Sequence, residues 1–208
     1  MAGLGLGPPD FALFEIDDPD ERAGALEAQL QPKLLELGYH CLSGLSRVAG
    51  EELCAHPGRV QRRKGVAPEE ILVAFSSSPK GYRGVPFLAV AMTRAHLHAR
   101  VGVRGESPRR ASMRAALRAE APNLARKGKP FRKLRQFNDW NFEELPEFAP
   151  AHSAAFWEEL ADDLAPGRAG MDVGIAWATE EARSLALGDL LGVFRDLAPL
   201  YKVLANGE

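Results

Sequence analysis

A chain of 208 residues that is 46% hydrophobic and 26% charged has the composition of an ordinary globular domain, with enough apolar side chains for one sizeable core. Its net charge of −2 hides a split: residues 59–135 hold 19 of the 26 Lys and Arg against Glu69, Glu70, Glu106 and Glu120, which makes that segment +15 and the remainder −17. The longest apolar run, residues 85–92, has eight residues and contains Pro86, which excludes a membrane-spanning helix of about 20 residues.

Residues 1–9 are rich in Gly and Pro and lack a basic segment followed by an apolar one, so a flexible tail is expected before a single domain over 10–208. Phe11, Phe14 and Ile16 mark a short apolar element. Asp18 before Pro19 opens a helix: the carboxylate accepts from orphan N–H groups, proline fits the first turn, and Asp20 and Glu21 complement the dipole. Leu26, Leu30, Leu34 and Leu37 recur at helical spacing. Gly38 is expected to stop this helix, Pro32 to bend or split it, and 40–48 to form a further short helix. Strands are expected over 71–76, 85–92 and 95–104, with a tight connection at Thr93 and Arg94, and 51–56 adds another. Ser107 and Pro108 start a helix over 108–126 that carries Arg109, Arg110, Arg114 and Arg118, buries Met113, Leu117 and Leu124, and is divided at Pro122. A strand is expected over 131–138. Ser153 caps a helix through 164 with Phe156, Trp157, Leu160 and Leu164 inward. Residues 171–178 form a strand with Met171, Val173, Ile175 and Trp177 on one face, and 184–204 a last amphipathic helix. Helices and strands interspersed with hairpin-length links predict the α+β class: one domain, a mixed, largely antiparallel sheet flanked by helices.

The sharpest chemical pattern lies in residues 95–104. Side chains alternate across a strand, so His96, His98, Arg100 and Arg104 share one face and Leu97, Ala99, Val101 and Val103 the other, which is the expected core side. Gly102 leaves a gap in the polar row, where another group can approach the backbone. Two guanidiniums beside two imidazoles suit a phosphate or carboxylate, with a neutral imidazole available as a general base. The alternative is a solvated face, or one covered by an acidic helix such as that bearing Glu158, Glu159, Asp162 and Asp163. A metal site needs a third ligand from His56 or His152 against the repulsion of the arginines, so none is expected.

A second candidate is the loop 77–84, where Lys80 and Arg83 sit among glycines that free backbone N–H groups to face an anion; without a Walker pattern it also reads as a plain connection. A third is the basic run, with Arg110 and Arg114 on the charged stripe that continues to Arg118, followed by Arg126, Lys127, Lys129, Arg132, Lys133 and Arg135. With Phe131 and Phe137 it suits a nucleic-acid backbone, although a sequence pI of about 6.2 is low for such a domain. Cys41 and Cys54 form no disulfide framework and are expected to stay reduced in the cytoplasm. Trp140, Trp157 and Trp177 are expected in the core, and Ser76, Ser77 and Ser78 lack the context of a nucleophile.

Phe11-x-x-Phe14-x-Ile16, Glu21-Arg22, Pro32-Lys33-Leu34, Leu37-Gly38, Arg62-Arg63, Val73-Ala74-Phe75, Lys80-Gly81-Tyr82, Pro86, His96, Glu106-Ser107-Pro108, Gly174-Ile175 and the segment 197–204 succeed one another in an order that resembles the YktB-like family of uncharacterised bacterial proteins. The chain departs from the family's pattern at Phe87 and over 138–147. The resemblance implies a compact α/β domain with a mixed sheet between helices and supplies no activity. The expected function is therefore drawn from the residues: binding of an anionic, phosphate-bearing small molecule or nucleic acid through the basic sheet face and helix, without a cofactor and without a membrane. The alternatives are an enzyme acting on a phosphoryl or acyl substrate, with His96 or His98 as base and Arg100 as clamp, and an interaction protein whose basic and acidic surfaces pair between subunits. The sequence does not set the oligomeric state.

Overall fold

The computed structural model describes residues 3–60, 65–138 and 144–207. Trp140 and the basic residues Arg62, Arg63 and Lys64 lie outside them. The tail expected over 1–9 is packed where it is described: Gly3 bridges Ala186, the Leu4 N–H donates to the Leu185 carbonyl, and Leu6 is buried. The first apolar element is a helix, α1 (Pro8–Ala12), running into a single 3-10 turn over Leu13–Glu15. Asp18 caps α2 (Pro19–Ala25) by accepting from the N–H groups of Asp20 and Glu21 at 3.0 and 2.8 Å.

Pro32 has no N–H to donate, and its ring crowds the preceding turn. The helix therefore passes through a wide turn over Leu26–Leu30, in which the Gln31 N–H reaches back to the Leu26 carbonyl, and then continues as α3 (Gln31–Ala49). Gly38 does not end this helix. It lets α3 press on the sheet, since a Cβ there would lie 2.9 Å from Val73 Cγ2. The stop comes at Gly50, whose φ of 83° is the left-handed conformation that favours glycine.

Six strands make up the sheet: β1 (Cys54–Pro57), β2 (Glu70–Ser76), β3 (Phe87–Thr93), β4 (His96–Arg104), β5 (Arg135–Gln136) and β6 (Gly170–Ala178). Their order is β1-β2-β3-β4-β6-β5, and every described pairing is antiparallel. The strand expected over 131–138 is reduced to the two residues of β5, after a 3-10 turn at Lys129–Phe131. The remaining helices are α4 (Arg110–Lys127), α5 (Ala154–Asp162), α6 (Thr179–Ala182) and α7 (Leu187–Ala205). α4 runs through Pro122 without dividing, and that proline lies on its exposed side.

One face of the sheet carries the core. Val73, Phe75, Leu88, Val90, Met92, Leu97, Val101, Val103, Met171 and Val173 meet α3 and α7, which lie side by side, with α4 against α7 and α5 against α4. Each fully buried Leu or Phe here contributes about 1.5–3 kcal/mol by leaving water. Trp157 is fully buried and its indole N–H donates to the Ala151 carbonyl at 2.9 Å, whereas Trp177 is only half-buried. No helix among the described residues is long and apolar enough to cross a membrane. The single α+β unit thus keeps its main core on one side of the sheet, while the other side combines a smaller apolar cluster, Leu72, Ala74, Phe87, Ala89 and Ala91 with Tyr82 against it, with polar groups.

Candidate functional site

Alternation places His96, His98, Arg100 and Arg104 on the face of β4 away from the helices, as expected. What flanks them gives the face its shape. Opposite His98 stand Ala91 of β3 and Ala176 of β6; opposite Arg100 stand Ala89 and Gly174; opposite Arg104 stands Gly170. Small neighbours on both sides leave room for long side chains to lie down on the sheet. Arg100 does so and is 3% exposed.

Its charge is matched by two carboxylates. Glu70, at the start of β2, accepts from both terminal nitrogens of Arg100 at 2.8 Å, the forked geometry that gives the strongest pairs. Asp172 of β6 lies 3.4 Å from Arg100 Nε and accepts from Arg104 at 2.9 Å. The gap at Gly102 is therefore occupied, by the Asp172 carboxylate and the Phe87 ring, both of which a Cβ there would strike. Arg104 in turn lies over the rings of Phe87 and Tyr82, 5.1 and 5.9 Å from their centroids. Phe137 covers His98, with ring centroids 4.8 Å apart, while His98 Nε2 sits 3.4 Å from Glu70. Asn138 fixes Asp172 from behind: its amide oxygen accepts from the Asp172 N–H at 2.8 Å, and its NH₂ donates to Gly170 and Asp163.

Burial and charge tune these groups. Burial works against the Arg100 charge, yet Asp172 and Glu70 outweigh it, so the guanidinium is held even more firmly protonated than usual. Burial raises Asp172 above the ordinary carboxylate range, against the pull of Arg100 and Arg104. His98 is fully buried, and burial, then Arg100, then His96 keep its pKa well below the usual 6.5; burial and then Arg135 lower His96. A buried imidazole that refuses a proton makes stability fall as pH drops below 6.5, because the unfolded chain accepts that proton and the folded chain does not. From pH 7.5 to 6 the unfolding free energy of the wild type, measured in urea, is expected to fall, with a slope approaching about 1.4 kcal/mol per pH unit per proton at the acid end. His98→Gln should flatten that slope; an equal slope in the variant would remove His98 as its source.

Above this network a cleft of about 750 Å³ opens, lined by Arg59, Arg83, Arg104, Arg168, Tyr82 and Phe137, with Arg100, Glu70 and Asp172 at its base. It thus gathers Arg83, Arg100 and Arg104 of the residues singled out in the sequence. Arg83, on the loop before β3, also pairs with Glu106 at 3.1 Å. Lys80 is exposed on the same loop but does not line the cleft, and neither do His96 and His98. The α4 stripe is elsewhere and is occupied: Arg110 donates to the Gly105 carbonyl, and Arg114 and Arg118 both reach Asp162 of α5, at 2.5 and 2.6 Å. The acidic helix therefore packs on α4, and Asp163 at its end reaches the cleft on the sheet face.

Glu70, Asp172 and Asn138 are the site residues that sequence reasoning missed, and Phe137, expected to stack a base in the basic run, instead covers His98 and lines the cleft. Asp172 had a visible signal, since it falls on the polar phase of a strand whose other phase is Met171, Val173, Ile175 and Trp177. Its partner required the register.

An antiparallel sheet with helices on one face and an arginine–carboxylate cleft on the other defines an α+β protein with a polar pocket. The chain belongs to the family described as a domain of unknown function, DUF1054, whose model matches residues 8–201. It is similar to UPF0637 proteins of Bacillus: one from Bacillus cytotoxicus is 28% identical over 204 residues, spanning 93% of this chain and 94% of the relative, and one from Bacillus thuringiensis strain Al Hakam is 26% identical over 202 residues, spanning 92% and 93%. One from Bacillus velezensis is 32% identical over 108 residues, about half the length of each chain. These are the YktB-like relatives anticipated from the sequence, and their names carry no activity.

Proposed function

We propose that the cleft binds a small, phosphate-bearing molecule that also carries hydroxyl or amino groups. The observation that supports this is the Arg100 network. Placing two guanidiniums and two carboxylates at the base of a cleft gives no stability that apolar residues of similar volume would not give, and such arrangements concentrate at functional sites. Of the five arginines that line the cleft among the described residues, Arg100 pairs with Glu70 and Asp172, while Arg104 keeps 27% of its side chain exposed and Arg59 and Arg168 stand exposed at the rim. Guanidiniums suit bidentate phosphate recognition. Glu69, Glu70, Glu106, Asp163 and Asp172 balance them, so the ligand would also need donors of its own; Tyr82 and Phe137 supply apolar walls.

The enzymatic alternative, with His96 or His98 as base, has less support, because neither imidazole lines the cleft and His98 is fully buried under Phe137. A cytoplasmic setting is supported by two unpaired cysteines, one of them, Cys41, with its thiol pushed up to about 12 by burial. The test is a panel of inorganic phosphate, sugar phosphates and nucleoside mono- and diphosphates, read by thermal unfolding and calorimetry. At least one is expected to bind saturably, stabilising the fold by about 2.7 kcal/mol at 100 times its Kd. Arg104→Met should weaken that binding roughly tenfold or more, the loss of one charge-assisted bond. A panel with no binder, or unchanged affinity in the variant, overturns the proposal.

A further inference from the structure

The positive charge of the chain's centre is not evenly neutralised. Arg83, Arg100, Arg104, Arg114 and Arg118 all have carboxylate partners. Between Ala121 and Asn138 the sequence has six cations, Arg126, Lys127, Lys129, Arg132, Lys133 and Arg135, and no carboxylate. The first five are exposed, and among the described residues none of the six makes an ion pair; Arg126 donates only to Asn123, and Arg135 to the Pro146 carbonyl. Cations at a helix C-terminus complement its dipole, which accounts for Arg126 and Lys127 at the end of α4. It does not account for Lys129, Arg132 and Lys133, which lie beyond the helix.

Beside this turn is a hollow of about 280 Å³, lined by Lys129, Arg132, Phe131, Ala149, Ala151 and His152. The loop that supplies its far wall also carries Phe148, a residue 57% exposed, with the Arg135 guanidinium 4.0 Å from its ring centroid. An exposed aromatic ring capped by arginine is a surface on which a base can stack. The apolar side chains of the turn, Leu124, Phe131 and Leu134, are all buried, so a single exposed ring, Phe148, is the apolar group this surface offers among the described residues, less than the apolar face with which an amphipathic helix enters a bilayer. Among the described residues, Glu144 and Glu147 are the acids of the neighbouring loop, and the cations outnumber them.

We propose that the turn after α4, with the hollow and Phe148, is a docking surface for single-stranded nucleic acid, separate from the cleft and independent of what the cleft binds. The cations would track the phosphate backbone and Phe148 would stack a base.

The experiment is fluorescence polarisation with a labelled 12-nucleotide uridine strand, a duplex of equal length, and vesicles containing phosphatidylserine. The single strand is expected to bind in a salt-dependent way. The triple variant Lys129→Glu, Arg132→Glu, Lys133→Glu should bind at least tenfold more weakly and lower the slope of log K against log salt by about 2, the share of three backbone contacts. Phe148→Ala should weaken the single strand severalfold and leave a duplex unaffected. All four side chains are exposed, so melting temperatures should match the wild type. No binding at low salt, equal binding by the triple variant, or preference for duplex or vesicles each overturns the proposal. Arg104→Met should bind the strand as the wild type does, and the triple variant should keep the cleft's affinity for phosphate compounds, so the failure of one site is distinguishable from the failure of the other.

Discussion

Glu70→Ala is expected to destabilise the protein by about 3–5 kcal/mol, the cost of leaving a buried charge without its principal partner. Arg100 is 3% exposed and both of its terminal nitrogens donate to Glu70. Asp172 cannot replace Glu70, because it approaches only Arg100 Nε and is shared with Arg104. For a chain of this length the loss corresponds to roughly 6–20 °C in melting temperature. The cause is separable from mere loss of packing. Glu70→Leu combined with Arg100→Met removes both charges and keeps apolar volume, and it should recover most of the stability, since an ion pair is often no better than a well-packed apolar pair. The double variant's remaining defect should be in binding phosphate compounds. Urea unfolding of the single and double variants decides the matter: a Glu70→Ala protein within about 1 kcal/mol of wild type would show that the network carries little energy.

The sheet was legible because its signal is local. The alternation in β4 separates Leu97, Ala99, Val101 and Val103 from His96, His98, Arg100 and Arg104 without any knowledge of neighbours, and the structure keeps that separation. Gly38 was misread for the converse reason. Its local propensity says stop, but what matters is Val73, 35 residues away, against which the helix needs a residue without a Cβ. The site shows the same limit. Arg100 could be found from the strand pattern, but Glu70 and Asp172 reach it only through the β2-β3-β4-β6 register, which no spacing encodes. The +15 segment was legible as a sum and not as a surface. Glu70 and Glu106 within it, and Asp162 and Asp172 from the acidic C-terminal part, neutralise chosen arginines and leave residues 126–133 uncovered.

Gly174→Ala is expected to cost at least about 3 kcal/mol, at the upper end of overpacking losses. A Cβ at this position would collide with the Ala99 carbonyl oxygen and lie 2.6 Å from Arg100 Cα and 2.8 Å from Arg100 Cβ. Two of these three atoms are backbone, so relief requires opening the β4–β6 ladder rather than rotating a side chain. Gly102→Ala is the informative comparison. Its new Cβ would meet the Asp172 carboxylate and the Phe87 ring, both side chains, so a smaller loss of roughly 1–3 kcal/mol is expected, taken mainly from the Asp172 pairs with Arg100 and Arg104. The two variants therefore divide the roles of the glycines. Gly174 sets how closely β6 approaches Arg100, and Gly102 makes space for the carboxylate that this approach delivers. If denaturant unfolding ranks Gly102→Ala as the more damaging, the side-chain network rather than strand approach limits the stability of this face. If both are neutral, the tight β4–β6 contact that holds Asp172 on Arg100 is not what positions the base of the cleft.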